Sequence, residues 1–166
     1  MISDKRINII YSKARNEGTT WFLYQLATIL DYGYSVCFID GDGCGTDNES
    51  FGEKTNFIRL PNKNDIRMYE MINQLKDIDI VLIDDVHMLS IDSADKIFSG
   101  SKYIICTCPS ISQTTKDSIL EKYGEVQQFF LDKKTIEYDN DIIDRKSFLN
   151  KIKRDLKIKS LLNGDE

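Results

Sequence analysis

The sequence has little that stops a chain. Only two prolines, Pro61 and Pro109, occur in 166 residues, so few positions are barred from helix or strand. No run of about 18 apolar residues is present, which excludes a membrane-spanning helix of the usual kind. The first residues lack the basic-then-apolar order of a secretory signal, and a cytoplasmic location is expected. The four cysteines, Cys37, Cys44, Cys106 and Cys108, lack the spacing of a metal cluster and are expected to be reduced. Cys106 and Cys108 share one strand face, where free cysteine usually serves as a small hydrophobe. A single histidine, His87, follows a strand and reads as structural. Positive charge is scarce outside one stretch. Between residues 145 and 162 seven basic residues face Asp155 alone, a net +6, so the rest of the chain carries −11 of the total −5. An acidic body argues against nucleic acid as its partner.

What is present is one domain's worth of apolar residues, 41% of the chain, enough for a single well-buried core. The organising stretch runs from Ile7 to Asp42. An apolar strand ending at Tyr11-Ser12 is followed by the polar loop Lys13-Ala-Arg-Asn-Glu-Gly18 and by Thr19-Thr20 at the head of a long helix. After Gly33 a second strand ends in Asp40-Gly41-Asp42. A loop between strand and helix aims backbone N–H groups and the positive helix end at one spot, where a phosphate can sit. A P-loop reads G-x-x-x-x-G-K-[ST], its lysine on the terminal phosphates and its hydroxyl on Mg²⁺. With Gly18 as the second glycine, Thr19 takes the lysine position and Thr20 the metal position. One residue earlier, Gly18 takes the lysine position and Thr19 the metal. Neither register supplies the lysine or the first glycine.

Farther along, residues 41–52 are rich in Gly, Asp and Ser and read as a loop. Asn56 to Leu60 reads as a short strand and Asp65 to Lys76 as a helix. Ile78 to Ile83, a β-branched run ending in Asp84-Asp85, reads as a strand buried on both faces. A short helix is expected over Ile91 to Phe98. A buried strand over Lys102 to Thr107 closes on Cys108-Pro109-Ser110. A helix over Ser112 to Tyr123 and a strand over Val126 to Leu131 follow. Strands alternating with helices give an α/β fold, a mainly parallel sheet with helices on both faces. The expected division is an α/β domain over 1–133 and an extension over 134–166 with a C-terminal helix. Ligands of such sheets bind beyond the carboxyl ends of the strands, where Ser12 to Thr20, Asp40, Asp42, Asp84, Asp85 and Thr107 to Ser110 gather.

This order resembles the ParA/MinD superfamily of P-loop ATPases, whose loop reads K-G-G-V-G-K-[ST]-T and whose next strand ends L-I-D-x-D. Lys13 to Thr20, Phe38-Ile39-Asp40-Gly41-Asp42, Asp79 to Asp84 and Ser101 to Ser110 stand in the corresponding places. The resemblance covers roughly Arg6 to Leu131. It implies a P-loop NTPase fold, ATP or ADP with Mg²⁺ and a homodimer around nucleotide. It also implies nucleotide contacts from Lys13, Arg15, Asn16, Gly18, Thr19, Thr20 and Pro109. Metal ligation falls to Thr19, Thr20 or Asp42, and the catalytic acids are Asp40, Asp84 and Asp85. In the family a loop lysine reaches across the dimer, and Lys13 matches it only if Thr19 holds the metal; otherwise Ala14 stands there. Arg15 is the residue able to replace the missing positive charge, since guanidinium binds phosphate well, while Glu17 opposes it. A degenerate loop of this kind is similar to that of the TadZ/CpaE-like pilus-assembly branch, which implies a localising or assembly platform with weak or absent hydrolysis. The alternative is an active ATP-dependent dimerising switch. Val81 to Leu89 also resembles the acid-bearing strand of DnaA- and DnaC-like AAA+ ATPases, where the second acid, here Asp85, orients water.

Trp21, Phe22, Tyr24, Leu26 and Ile29 are expected in the core. Phe148, Leu149, Ile152 and Leu156 fall within an arc of about 100° on a helix, with Lys153, Arg154 and Lys157 to one side. Such a basic amphipathic helix docks on its own domain or a protein partner, or lies on a membrane surface.

Overall fold

The computed structural model describes residues 1–12, 18–40, 56–59, 70, 74–84, 95, 98–108 and 113–164. Among these, eight strands form one sheet in the order β3-β2-β4-β5-β1-β6-β7-β8. They are β1 (Ile7–Ser12), β2 (Val36–Asp40), β3 (Asn56–Arg59), β4 (Ile80–Asp84), β5 (Tyr103–Cys108), β6 (Val126–Leu131), β7 (Thr135–Tyr138) and β8 (Asp141–Asp144). The first six run parallel, and β7 and β8 add an antiparallel hairpin at one side. The helices are α1 (Thr19–Leu30), α2 (Gln113–Lys122) and α3 (Arg145–Asn163). The expected helix over 65–76, the expected helix over 91–98 and the loop over 41–52 lie wholly or mostly outside the described residues.

The central strands are continuous apolar runs because both of their faces are covered. Val36, Phe38, Ile80, Leu82 and Ile105 point to the side of α1 and α3, while Cys37, Ile39, Val81, Ile83, Ile104 and Cys106 point to the side of α2 through Ile119. A period of two carries each strand's residues into two different cores. Cys37, Cys106 and Cys108 are buried free thiols. Burial pushes the Cys37 thiol up to about 11 and the Cys106 thiol well up, with Cys108 adding to it. These cysteines are packing groups within the second core.

Helix α1 buries Phe22, Leu23, Leu26, Ala27 and Leu30 against the sheet, and Tyr24 stacks on Phe38 at 4.7 Å between ring centroids. Trp21 does not join them. It is 66% exposed, a correction to the sequence reading, because it shares the outward stripe of α1 with Thr28, two turns on.

The hairpin and α3 belong to the same body. The expected boundary after residue 133 falls in the turn between β6 and β7, and the sheet runs on across it. Asp139 and Asn140, both with positive φ (51° and 64°), make the tight two-residue turn whose twist suits a hairpin. Asp144 caps α3, its carboxylate accepting from the Ser147 backbone N–H at 2.9 Å, which satisfies one of the helix's unpaired donors. The first half of α3 then enters the core: Phe148 meets the rings of Phe22, Phe129 and Tyr138 at 6.2, 5.9 and 5.8 Å, with Leu149 and Ile152 buried beside it. Docking of the helix on its own domain is the observed arrangement for this half. Lys153, Arg154 and Lys157 remain exposed, and Ile158 and Leu161 leave the buried stripe. No helix among the described residues is long and apolar enough to cross a membrane.

Candidate functional site

At the carboxyl end of the sheet three polar side chains meet where every neighbouring strand is apolar. Asp84 ends β4 and is 1% exposed. Its Oδ2 accepts a hydrogen bond from the Thr20 hydroxyl at 3.0 Å, and its Oδ1 accepts one from the Thr107 hydroxyl at 2.9 Å. Thr107, 2% exposed, comes from β5, which lies between β1 and β4. A buried carboxylate is costly unless donors hold it, and two hydroxyls from two different elements do so here. The triangle fixes the head of α1 against the ends of β4 and β5.

The head of α1 has no side-chain cap. Gly18 sits at the N-cap with φ 69° and ψ 35°, a left-handed conformation that glycine adopts without penalty. It offers no side chain to cap the helix, and no side-chain cap bond is made. The first intrahelical bond runs from Phe22 N–H to the Gly18 carbonyl. The N–H groups of a first turn are of the kind that receive an anion, and this first turn carries the Thr20 hydroxyl bound to Asp84.

Arg145, the first residue of α3, closes the other side. Its Nη2 donates to the Gly18 carbonyl at 3.2 Å, and its Nη1 donates to the carbonyls of Asp132 and Lys133 at 3.1 and 3.0 Å. The guanidinium lies 5.2 Å from the Phe22 ring centroid. One side chain thus ties the loop's last residue to the β6–β7 turn and to α3. The planar fork of arginine suits this multiple bonding; a lysine does not.

Of the residues marked from sequence, the structure brings together Gly18, Thr19, Thr20 and Asp84, and pairs Asp40 with Asp84 in the β2–β4 register. Lys13, Arg15, Asn16, Asp42, Asp85 and Pro109 lie outside the described residues, as does His87. Thr107, expected at the binding edge of the sheet without an assigned role, joins them as a donor to Asp84. Arg145 was not marked, since nothing local links it to residue 18. Among the described residues no group of three or more His, Cys, Asp or Glu side chains could hold a metal unaided.

No protein-family model matches the sequence, and no curated protein matches it. Solved structures do resemble it. The flagellar accessory protein FlaH from Methanocaldococcus jannaschii is 13% identical, over 83% of this chain and 75% of that one, with a TM-score of 0.49. The Legionella pneumophila ATPase DotB is 9% identical, over 96% of this chain and 53% of that one, with a TM-score of 0.53. The chain thus spans about half the length of DotB. The mainly parallel sheet, with helix α1 following strand β1, and the likeness to DotB give the chain the α/β fold of P-loop NTPases.

Proposed function

We propose that the chain is a degenerate P-loop protein that holds ATP or ADP with Mg²⁺ weakly and serves as a positioning or assembly platform, not as a turnover enzyme. The observation that carries this is the Thr20–Asp84 hydrogen bond. It supports the register in which Thr20 is the metal hydroxyl, and that register puts Thr19 where a P-loop has its lysine. The residues present fit the group in part. Thr20 would hold Mg²⁺, Asp84 would keep Thr20 oriented from behind, and the first-turn N–H groups of α1 would receive a phosphate. The metal, when bound, would neutralise phosphate charge. A hydroxyl at Thr19 cannot supply what a lysine does as charge builds on the transferred group, and such electrostatic stabilisation is usually the largest catalytic contribution.

The same register bears on the finer resemblance. It leaves Ala14 at the position of the ParA/MinD cross-dimer lysine, so a dimer closed around nucleotide lacks that contact, and the TadZ/CpaE-like platform reading is favoured over the partition switch. A second reading, an active ATPase, is favoured by the intact Thr20–Asp84–Thr107 triangle and by the ATPase activity named for DotB.

Calorimetric titration with ATP and ADP, each with and without Mg²⁺, alongside phosphate release, separates the two. The platform reading expects Mg²⁺-dependent binding with Kd on the order of 0.1 mM, lost in Thr20→Val, and no turnover above background. Turnover on the order of 1 s⁻¹ or faster would assign the chain to the active class. Absence of binding at millimolar nucleotide would remove the nucleotide from the account.

A further inference from the structure

At the opposite end of the sheet, ahead of β2 and β4, the distal half of α3 and the end of α1 enclose a cleft of about 850 Å³. Its two walls differ. On the α1 side stand Ile29 and Tyr32, the latter 82% exposed. On the α3 side stand Lys153, Arg154 and Lys157, which make no ion pair among the described residues, with Leu156 at the base. Gly33 lets α3 come this close: a Cβ there would lie 3.1 Å from Leu156 Cδ2. Lys159 lies at the end of the cleft, donating to the Tyr34 hydroxyl at 3.1 Å with its ammonium 4.5 Å from that ring's centroid. The one carboxylate lining the cleft, Asp79, is turned to the Ser35 backbone N–H at 2.9 Å.

We propose that this cleft is a docking groove for an extended peptide of a protein partner, in which acidic residues alternate with bulky apolar ones. The spacing carries the argument. Lys153 and Lys157 are one turn apart on α3, about 6 Å along the axis, while alternate residues of an extended strand recur every 6.5–7 Å or so. Acids at positions i and i+2 therefore meet the two lysines. The residues between them point to the other face of the strand, toward the exposed Tyr32, with the largely buried Ile29 behind it. Charge complementarity is local and strong, because these cations sit on a chain that is otherwise acidic.

Other occupants fit less well. A membrane is locally flat and cannot reach the base of a concave cleft, and the apolar side chains that do project, Ile158, Leu161 and Leu162, lie on α3 away from it. A nucleic-acid backbone gains nothing from an Ile29–Leu156 floor and is repelled by the acidic body. A small phosphate ester needs cations that converge on one point, whereas these are strung along a helix. The groove and the nucleotide site lie at opposite ends of the strands, so either proposal can fail while the other stands.

The test is fluorescence anisotropy of the full chain with a fluorescein-labelled peptide of alternating Asp/Glu and Leu/Phe. A peptide of the same composition, with its acids in one block and its apolar residues in another, is the control. The alternating peptide is expected to bind more tightly than the block peptide and to weaken with salt. Affinity should fall at least about tenfold in Lys153→Glu/Lys157→Glu, and stay unchanged in Leu161→Ser/Leu162→Ser and on adding Mg²⁺-ATP. Equal binding of both peptides, or affinity indifferent to the charge reversal, overturns the proposal. So does binding of anionic lipid vesicles or of a single-stranded oligonucleotide that the reversal abolishes while the peptide fails to bind. Self-association in sedimentation that disappears with the reversal would give the groove to a second copy of the chain and overturn it equally.

Discussion

The two ends of this sheet share the same apolar strands and differ in how charge is handled. At the carboxyl end one carboxylate, Asp84, is sunk to 1% exposure and held by the hydroxyls of Thr20 and Thr107. At the amino end Lys153, Arg154 and Lys157 stand in water around an open cleft. The first arrangement is rigid, with each polar atom fixed by a partner from another element. The second is held in place only through the packing of the helix that carries it. Under the proposed function the carboxyl end takes phosphate without a P-loop lysine, and at the amino end three cations stand without an ion pair among the described residues. The two ends are joined by α3, whose first residue holds Gly18 and whose last turns line the cleft.

Phe148→Ala breaks that joint and has the largest expected effect. The ring is fully enclosed by Phe22, Phe129 and Tyr138, and its loss should cost about 3–5 kcal/mol in urea unfolding. A loss under about 1 kcal/mol would mean that α3 is an appendage. Thr107→Val sharpens the contrast at the rigid end. It keeps the shape of the side chain but leaves Asp84 Oδ1 without the Thr107 donor, for an expected cost of about 1–3 kcal/mol; an unchanged unfolding midpoint would show that the Thr107 contact contributes nothing to holding the acid. At the open end Lys153→Glu/Lys157→Glu, the variant used above for binding, should leave stability within about 0.5 kcal/mol, as is usual for exposed side chains. Unfolding by that variant would place the lysines in the architecture and not in a recognition surface.

Much of this could be read from the chain. The unit from β1 through α1 to β2 was legible from its order, the strands β4 and β5 because burial on two faces writes largely apolar runs, and β6 from its apolar residues, although one face of it is only half-buried. The hairpin of β7 and β8 was not. Its strands are four residues each and mostly half-exposed or exposed, and Asp139-Asn140 is a less familiar turn pair than Asn-Gly. Trp21 misled because aromatic character was taken for burial, while its position on the α1 helix decides the matter. At the site, Thr20 and Asp84 were visible as a motif and a strand end, but strand order was not. Only the placement of β5 between β1 and β4 brings Thr107 to Asp84. The Arg145 contact with Gly18 spans 127 residues and follows from the way α3 returns over α1, which no local pattern encodes.

The central claim is that the site has the P-loop geometry with Thr20 at the metal position and lacks one cation. Thr19→Lys restores that cation, and calorimetric titration of this variant with Mg²⁺-ATP tests the claim most directly. The account predicts affinity at least about tenfold tighter than the parent chain's, equivalent to about 1.4 kcal/mol, with Mg²⁺ dependence retained. Weaker binding, or binding abolished, would mean that Thr19 itself is the metal hydroxyl and that the register argued here from Thr20 and Asp84 is wrong.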